Sequence, residues 1–213
     1  MKKYHEPWKK FAEKYLYVEA PTCPSKFEIN LIESKLKKIL KNNKRPSVLI
    51  LGCTFSYRKL LAKYKLAVDL ADLNRIMFKV NSEKVKNMKT KERFFEKNWI
   101  AMDLKKKYDL ILGDFVVNNI HAKYKKKFYD NIKKHMKDDG LFITRVYWQK
   151  QKLMTKEQIY PQYKNKRITR KLMNELWFDA AFNLGVNLKN GITDNSLGWK
   201  GIKDYGKHVY MKK

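Results

Sequence analysis

The sequence contains little cysteine and no long apolar segment. Only two cysteines, Cys23 and Cys53, occur among 213 residues. They are too few for a disulfide framework and lack the paired spacing of a zinc site. No stretch reaches the ~18 apolar residues that a membrane span requires. The first residues lead into charge instead of an apolar region, so no secretory signal is indicated. We therefore expect a cytoplasmic protein with no bound metal and no membrane contact.

Acidic residues and arginine are also scarce. The chain has 21 acidic and 49 basic residues, which gives a formal net charge of +28. Such a positive potential attracts polyanions, and RNA or DNA would be the obvious partner. However, only seven of the basic residues are arginine, the side chain that reads guanine and phosphate with two hydrogen bonds. The lysines are spread over the outer faces of predicted helices, so composition alone is the competing explanation of the charge.

Glycine is uncommon, and Gly52 stands at the most informative position. The apolar run Val48–Leu51 precedes it without alternation, which is typical of a strand buried on both faces. A helix capped by Ser56 is predicted to follow the glycine turn. Strand, turn and helix together indicate the first half of a βαβ nucleotide-binding unit. A nicotinamide-binding motif would need two further glycines, so a dehydrogenase is only the third hypothesis.

Three later apolar runs each end at an aspartate. They are Leu66–Asp69, Trp99–Asp103 and Tyr108–Asp114. If each run is a strand of one parallel sheet, the three carboxylates collect where such sheets bind ligands. A carboxylate that ends the second strand can accept hydrogen bonds from both hydroxyls of a ribose. Each aspartate alone could equally form a turn or cap a helix.

The flanking segments are predicted to be helical at both ends of the chain. Residues 1–45 are expected to form an N-terminal helical cover, with Ser25 and Glu28 as the capping box of its second helix. A fifth strand, Leu141–Tyr147, carries Arg145, which either extends to solvent at a strand end or places a cation beside a ligand. Residues 148–187 are expected to be a helical insertion over the substrate face.

Within that insertion, Gln149–Arg170 is polar and is expected to gain little from burial. Two short segments near the C-terminus, Ser196–Trp199 and His208–Met211, are predicted to form a closing antiparallel hairpin. The predicted fold is therefore α/β, a Rossmann-like three-layer sandwich formed by one domain, residues 1–213. Its sheet would be mostly parallel and seven-stranded, ending with the C-terminal antiparallel hairpin.

The sequence resembles class I S-adenosylmethionine-dependent methyltransferases. More narrowly, it resembles bacterial members whose first motif reads Leu-Gly-x-Thr-Pro, although Phe55 replaces the proline. The segments that carry the resemblance are Val48–Thr54, Val68–Leu70, Asn98–Asp103 and Leu112–Asn119. The resemblance implies that S-adenosyl-L-methionine is the cofactor and that the chain is a transferase.

The resemblance also implies which residues contact the cofactor. Gly52, Cys53 and Thr54 would lie along its methionine part, and Asp69 would bind the ribose. Asp103 would hold the adenine amino group, and Asp114 would lie near the sulfonium. The remaining expected cofactor contacts are Leu70, Met102 and Phe115.

Methyl transfer from a sulfonium mainly requires alignment and desolvation of the reacting groups. A base helps when the acceptor is an amine or a hydroxyl, and the candidate catalytic residues are Asp114, Asn118 and His121. Asn118 could instead cap the following helix, and His121 could be structural. The acceptor is expected to be a small molecule, with RNA as the second candidate. The alternative hypothesis is an RNA- or DNA-binding protein, or a nucleic-acid methyltransferase, on a degenerate methyltransferase scaffold.

Overall fold

The computed structural model of the chain describes residues 20–88, 90–147, 152–187, 192–193 and 196–210. Residues 1–19 of the predicted N-terminal helical cover therefore lie outside the described residues. The chain divides into two compact units. Unit 1 comprises residues 1–16 and 24–146, and unit 2 comprises residues 17–23 and 147–213. No helix among the described residues is long and apolar enough to cross a membrane.

Unit 1 contains a parallel five-stranded sheet. The strands occur in the order β3-β2-β1-β4-β5. Their bounds are β1 (Val48–Leu51), β2 (Val68–Asp72), β3 (Glu92–Glu96), β4 (Tyr108–Asp114) and β5 (Met136–Arg145). All four residues of β1 are buried, as expected for a strand covered on both faces. The predicted bounds of β1 and β4 are confirmed.

Helices cover both faces of this sheet and make the predicted three layers. They are α1 (Lys26–Asn42), α2 (Phe55–Lys63), α3 (Arg75–Val85) and α4 (Lys125–Lys134). Leu36 of α1 and Leu61 of α2 pack on one face, and Phe128 of α4 packs on the other. The predicted capping box of α1 is confirmed, because Ser25 and the Glu28 side chain satisfy each other's backbone N–H groups.

Two boundaries near the first βα turns differ from the prediction. Helix α2 begins at Phe55, so Ser56 lies inside the helix instead of capping it. Strand β2 begins at Val68, because the Leu66 N–H closes the end of α2 on Leu61 O at 3.1 Å. The strand runs past Asp69 and ends at Asp72.

The third strand is β3 instead of Trp99–Asp103. Strand β3 lies at the sheet edge and is only half-buried, so charged residues flank its two phenylalanines and it gives no apolar run. The run that was predicted as a strand is apolar because its side chains reach the core. Met102 is 2% exposed, and Trp99 Nε1 donates to Ala71 O at 2.6 Å.

The fifth strand begins earlier than predicted. The strand was predicted to begin at Leu141, but α4 ends at Lys134 and β5 begins at Met136. Gly140 is needed for a close approach between strands, because a Cβ there would lie 2.8 Å from Tyr108 O. This is also where the β4–β5 register shifts, between Tyr108 and Leu110.

Unit 2 is mainly helical. It contains α5 (Lys156–Ile159), a 3₁₀ turn (Tyr160–Tyr163), α6 (Arg170–Leu184), α7 (Ser196–Tyr210) and the two-residue antiparallel strands β6 (Val186–Asn187) and β7 (Ile192–Thr193). The predicted hairpin of Ser196–Trp199 with His208–Met211 is wrong, because residues 196–210 form one helix. Residues 211–213 lie outside the described residues. Among the described residues the main sheet therefore has five strands.

Two glycines explain why this C-terminal segment is a helix in contact with α6. A Cβ at Gly198 would lie 2.7 Å from Trp177 Nε1, and one at Gly201 would lie 2.5 Å from Ala180 Cβ. Both contacts are closer than side chains permit, so the glycines let α7 approach α6. In a sequence, two such glycines look like turn residues. A hairpin was therefore predicted where the structure has a helix.

The segment Gln149–Arg170 was expected to bury few side chains, and this expectation is wrong for the centre of the segment. Ile159, Tyr160 and Tyr163 are all buried together with Leu176 of α6 and Tyr205 of α7. The aromatic side chains that interrupt this polar sequence therefore form the core of unit 2.

Candidate functional site

The candidate site lies at the carboxyl ends of β1 and β4. These two strands are neighbours at the centre of the sheet, and the helices that follow them cover opposite faces. In open α/β sheets such a change of direction leaves a crevice where ligands bind. Cys53 and Thr54 follow β1, and Asp114 ends β4. The predicted residues Gly52, Cys53, Thr54, Asp114 and Phe115 are thus brought to one edge.

Gly52 forms the turn at the end of β1. Its φ is +92°, a conformation that residues with a Cβ rarely adopt. Its N–H donates to Ala71 O at 2.8 Å, which ties the turn to β2. The position of a Cβ on Gly52 would be 3.6 Å from Asp72 Oδ2 and 3.9 Å from Trp99 Cζ2. The bare Cα of Gly52 therefore faces a carboxylate and an indole ring.

Asp72 is the acid that ends β2. Its Oδ1 accepts from the Asn74 N–H at 2.7 Å, while Oδ2 is the oxygen that faces Gly52. Burial raises the pKa of Asp72 from 3.8 to about 6, against the backbone N–H groups of Asn74 and Leu73, which lower it. Asp72 does not cap α3, because Asn74 takes that position and accepts from the N–H groups of Ile76 and Met77. The Asp72 carboxylate is therefore available to the crevice.

Trp99 is held beside Asp72 by two hydrogen bonds. Its indole N–H donates to Ala71 O at 2.6 Å, and its carbonyl accepts from Asn131 Nδ2 at 2.8 Å. An indole fixed next to a bare glycine can form an aromatic wall for a flat ligand. This role could not be read from the sequence, where Trp99 appeared as the start of a strand.

Asp114, Arg145 and Glu28 form an ion network at the same edge. Arg145 Nη1 lies 3.2 Å from Asp114 Oδ1, and Arg145 Nε lies 3.1 Å from Glu28 Oε1. The side chains of Asp114 and Arg145 are 7% and 9% exposed. Of the two roles considered for Arg145, the structure therefore favours a cation at the ligand edge over an arginine that extends to solvent.

The electrostatics of Asp114 follow from this network. Burial raises its pKa from 3.8 to about 6; Arg145 lowers it, Glu28 raises it and the hydrogen bond from Thr54 lowers it. Asp114 Oδ1 accepts no well-oriented hydrogen bond from the described part of the chain. A buried oxygen of this kind remains able to accept a proton or a hydrogen bond from a ligand.

Phe115 adopts a strained backbone directly after Asp114. Its φ is +55°, which costs a non-glycine residue about 1–3 kcal/mol. The Phe115 N–H donates to Arg145 O at 3.1 Å, and the Arg145 guanidinium lies 4.3 Å from the ring centroid. This arrangement turns the aromatic ring onto the cation and fixes the end of β4.

The buried thiol of Cys53 is not suited to nucleophilic chemistry. Burial raises its pKa well above 9.0, and the nearby Asp72 raises it further. Because the thiolate is the reactive form, Cys53 serves as a small side chain beside the turn.

Asp69 does not lie at this edge. It is the second residue of β2, three residues before Asp72. Its carboxylate accepts two hydrogen bonds from Arg93, both at 3.1 Å, one from Lys106 at 2.9 Å and one from the Tyr108 hydroxyl at 2.8 Å. The premise that Asp69 ends β2 is therefore wrong. Leu70, predicted beside it, is fully buried in the core.

Asp103 lies at the opposite edge of the sheet. It pairs with Lys105 at 2.6 Å and with Lys134 at 3.8 Å, close to the amino ends of β4 and β5. It lines an open cavity of about 340 Å³ with Lys105, Lys106, Lys107, Lys134 and His135. The structure therefore does not bring Asp103 together with Gly52. Met102 is a core residue.

The two remaining candidates have local structural contacts. His121 caps a 3₁₀ turn, and its Nδ1 accepts from the Lys123 N–H at 3.4 Å. Asn118 is exposed, and its N–H donates to Phe115 O at 3.1 Å. Their catalytic roles remain predictions.

No protein-family model and no curated protein matches the sequence. Among solved structures, the chain is similar to an S-adenosylmethionine-dependent methyltransferase from Clostridium acetobutylicum. That match has a TM-score of 0.51 and 20% identity over 66% of this chain and 58% of the other. The fold is that of an S-adenosylmethionine-dependent methyltransferase.

Two other similar structures have lower scores. The PH0226 protein from Pyrococcus horikoshii has a TM-score of 0.48 and 20% identity over 62% of this chain and 64% of that one. The N-methyltransferase NodS from Bradyrhizobium japonicum, in complex with S-adenosyl-L-homocysteine, has a TM-score of 0.48 and 17% identity over 64% and 71%.

Proposed function

We propose that the chain binds S-adenosyl-L-methionine at the carboxyl edge of β1, β2 and β4 and transfers its methyl group to a small-molecule acceptor. The observation that carries the proposal is the approach of the Asp72 carboxylate to the bare Cα of Gly52. We also propose that the chain belongs to the subfamily of these enzymes whose first motif reads Leu-Gly-x-Thr, which is Leu51 to Thr54 here.

The residues at this edge suit the chemical groups of that cofactor. Asp72 can accept hydrogen bonds from both hydroxyls of a ribose, and the fixed indole of Trp99 offers a face to the adenosine. The turn from Gly52 to Thr54 presents backbone to the methionine part. When bound, the cofactor supplies a methyl group that is already activated by its sulfonium.

Asp114 is the residue that can handle the acceptor's proton. An amine or hydroxyl loses a proton when it is methylated, and a carboxylate with a pKa of about 6 can take it near neutral pH. Arg145 pairs with this carboxylate, and Glu28 pairs with Arg145 in turn. The low exposure of Asp114 favours an acceptor that can enter a narrow crevice, and an RNA nucleotide is the alternative acceptor.

We expect Asp72→Asn to weaken the binding of S-adenosyl-L-homocysteine by roughly ten- to a hundredfold. The variant loses charge-assisted hydrogen bonds worth about 1.5–3 kcal/mol, while the amide oxygen can still accept from Asn74. Isothermal titration calorimetry measures the change. Asp69→Asn is the matched control, and its affinity should stay within about threefold of wild type.

The two variants test whether the ribose is bound by Asp69, as the sequence predicted, or by Asp72, as we propose. A loss of affinity in Asp69→Asn with normal binding in Asp72→Asn would return the ribose site to Asp69. Absence of binding by the wild-type chain would remove the proposed function itself.

The pH dependence of stability gives a second test of Asp72. Its folded pKa, about 6, lies above the ordinary 3.8. The corresponding stability is fully present below pH ~4 and is lost as the pH rises through about 6. We therefore expect Asp72→Asn to be more stable than wild type by roughly 1–3 kcal/mol at pH 8 and equally stable near pH 4. Urea unfolding at both pH values measures this.

A residue that only supports the fold would behave in the opposite way. Asp69→Asn should lower stability at pH 8, because it removes a carboxylate that Arg93, Lys106 and Tyr108 contact. If Asp72→Asn also lowered stability at pH 8, Asp72 would be a structural acid and not one that awaits ligand donors.

A further inference from the structure

The run Lys164–Lys171 in unit 2, here called the basic loop, concentrates positive charge on the surface. All of its residues are exposed. It contains the five cations Lys164, Lys166, Arg167, Arg170 and Lys171, and no aspartate or glutamate occurs from Gln158 to Asn174. Lys171 approaches the nearest acid that follows, Glu175, at 3.9 Å. The positive charge of the basic loop is therefore hardly offset by carboxylates that are close in sequence.

The distribution of arginine sets the basic loop apart from the lysine-rich surface. Two of the seven arginines, Arg167 and Arg170, lie within four residues of each other in the basic loop. The planar guanidinium fits phosphate oxygens with two hydrogen bonds, which the lysine ammonium cannot do.

Both ends of the basic loop are fixed to the helices of unit 2. Tyr163 is 5% exposed; its hydroxyl donates to Asp179, and its carbonyl accepts from the Tyr205 hydroxyl at 2.7 Å. At the other end, Thr169 Oγ1 accepts from the Leu172 N–H at 3.1 Å. Lys166 Nζ also lies 5.3 Å from the Tyr163 ring centroid. Three of the cations therefore lie on a short anchored segment, and Arg170 and Lys171 lie in the first turn of α6, which reduces the ordering cost of binding.

We propose that the basic loop binds nucleic acid through its phosphodiester backbone. Backbone contacts of this kind supply affinity without sequence specificity. The proposal does not depend on the methyltransferase proposal, because every residue that carries it lies in unit 2. Nucleic-acid binding that survives loss of cofactor binding in Asp72→Asn would show this independence.

The test measures binding of a short single-stranded RNA, and of a DNA duplex of the same length, by fluorescence anisotropy across a salt series. Each phosphate contact contributes about 0.7 to the slope of log affinity against log salt for a single strand. The double variant Arg167→Gln/Arg170→Gln should therefore lower the slope for RNA by about 1.4, with a roughly tenfold loss of affinity at the lowest salt. The proposal is supported if the affinity for either the RNA or the DNA shows this salt dependence. The polymer that binds more tightly is then identified as the partner.

The matched control is Lys125→Gln/Lys127→Gln on α4. Both lysines are exposed, and the double variant loses the same charge from unit 1. It should leave the slope unchanged. Equal losses in the two double variants would overturn the proposal, since binding would then follow net charge alone. Tighter binding to phosphatidylserine vesicles than to either polymer would overturn it as well.

A thermal melt monitored by circular dichroism shows whether each variant is folded. If the arginine variant does not fold, Lys164→Gln/Lys166→Gln takes its place, with the same expected slope change. An unchanged slope in a folded variant of the basic loop would also contradict the proposal.

Discussion

Replacing Arg58 with methionine should lower the free energy of unfolding by about 3–5 kcal/mol. The Arg58 side chain is fully buried between α2 and β3. Its Nε donates to Glu92 Oε1 at 2.9 Å, Nη2 donates to Ser82 Oγ at 2.9 Å, and the guanidinium lies 5.4 Å from the Phe78 ring centroid. Methionine fills similar space but leaves Glu92, which is 11% exposed, as a nearly buried charge without its cation.

The chain contains a matched control for this experiment. Arg75 of α3 pairs with Glu96 of the same strand, β3, at 2.8 Å, and the two side chains are 57% and 46% exposed. Because exposed ion pairs contribute little, Arg75→Met should cost at most about 1 kcal/mol. Urea unfolding at neutral pH measures both losses.

A double replacement separates the charge from the packing. Arg58→Met/Glu92→Met removes both charges, and buried pairs replaced by apolar side chains are often neutral in stability. The double variant should therefore recover most of the loss. If Arg58→Met cost no more than Arg75→Met, the burial of this pair would have no energetic consequence.

The central strands could be predicted from the sequence because burial leaves a strong signal. Both faces of β1 and β4 are covered, so each appears as a continuous apolar run with sharp ends. The same signal misled at Trp99–Asp103, where an apolar run packs into the core without forming a strand. It was absent at β3, an edge strand with charged residues.

The sequence predicted Asp69 as the acid that ends β2, and the structure places Asp72 at that position. Both Asp69 and Asp72 follow apolar residues, and the choice between them depends on where β2 begins. In the structure the Leu66 N–H still donates to Leu61 O of α2, and β2 begins two residues later at Val68, which the apolar pattern does not reveal. The N-cap of α3 is Asn74, which leaves Asp72 without a capping role.

Contacts between distant residues could not be predicted at all. Glu28 has a recognisable role in the capping box of α1, so the sequence offers no reason to give it a second one. The structure adds a contact with Arg145, which in turn reaches Asp114. Only the parallel pairing of β4 with β5 brings Asp114 and Arg145 side by side.

Asp114→Asn should lower the rate of methyl transfer by roughly 10²- to 10⁴-fold, the usual contribution of a general base. The amide cannot accept a proton, although its shape and its contact with Arg145 are retained. The rate is measured as S-adenosyl-L-homocysteine formed with a panel of small amines and alcohols. Asp130→Asn on the exposed side of α4 is the control and should leave the rate unchanged.

The pH profile distinguishes a base from a carboxylate that only orients the acceptor. Burial raises the pKa of Asp114 to about 6, so the wild-type rate should rise with pH through that value and then level off. In Asp114→Asn this dependence should disappear. A variant that kept the same profile at a lower rate would show that another group takes the proton, and His121 would then be tested next.

Glu28→Gln provides the sharper test, because it changes Asp114 without touching it. The negative charge of Glu28 raises the pKa of Asp114, and its removal leaves Arg145 to stabilise the ionised form of Asp114 alone. The acid limb of the rate profile should therefore move to lower pH, while the rate on the plateau stays near that of wild type. A merely structural Glu28 would instead lower the plateau and leave the midpoint where it was. That result would show that the charge of Glu28 does not set the pKa of Asp114.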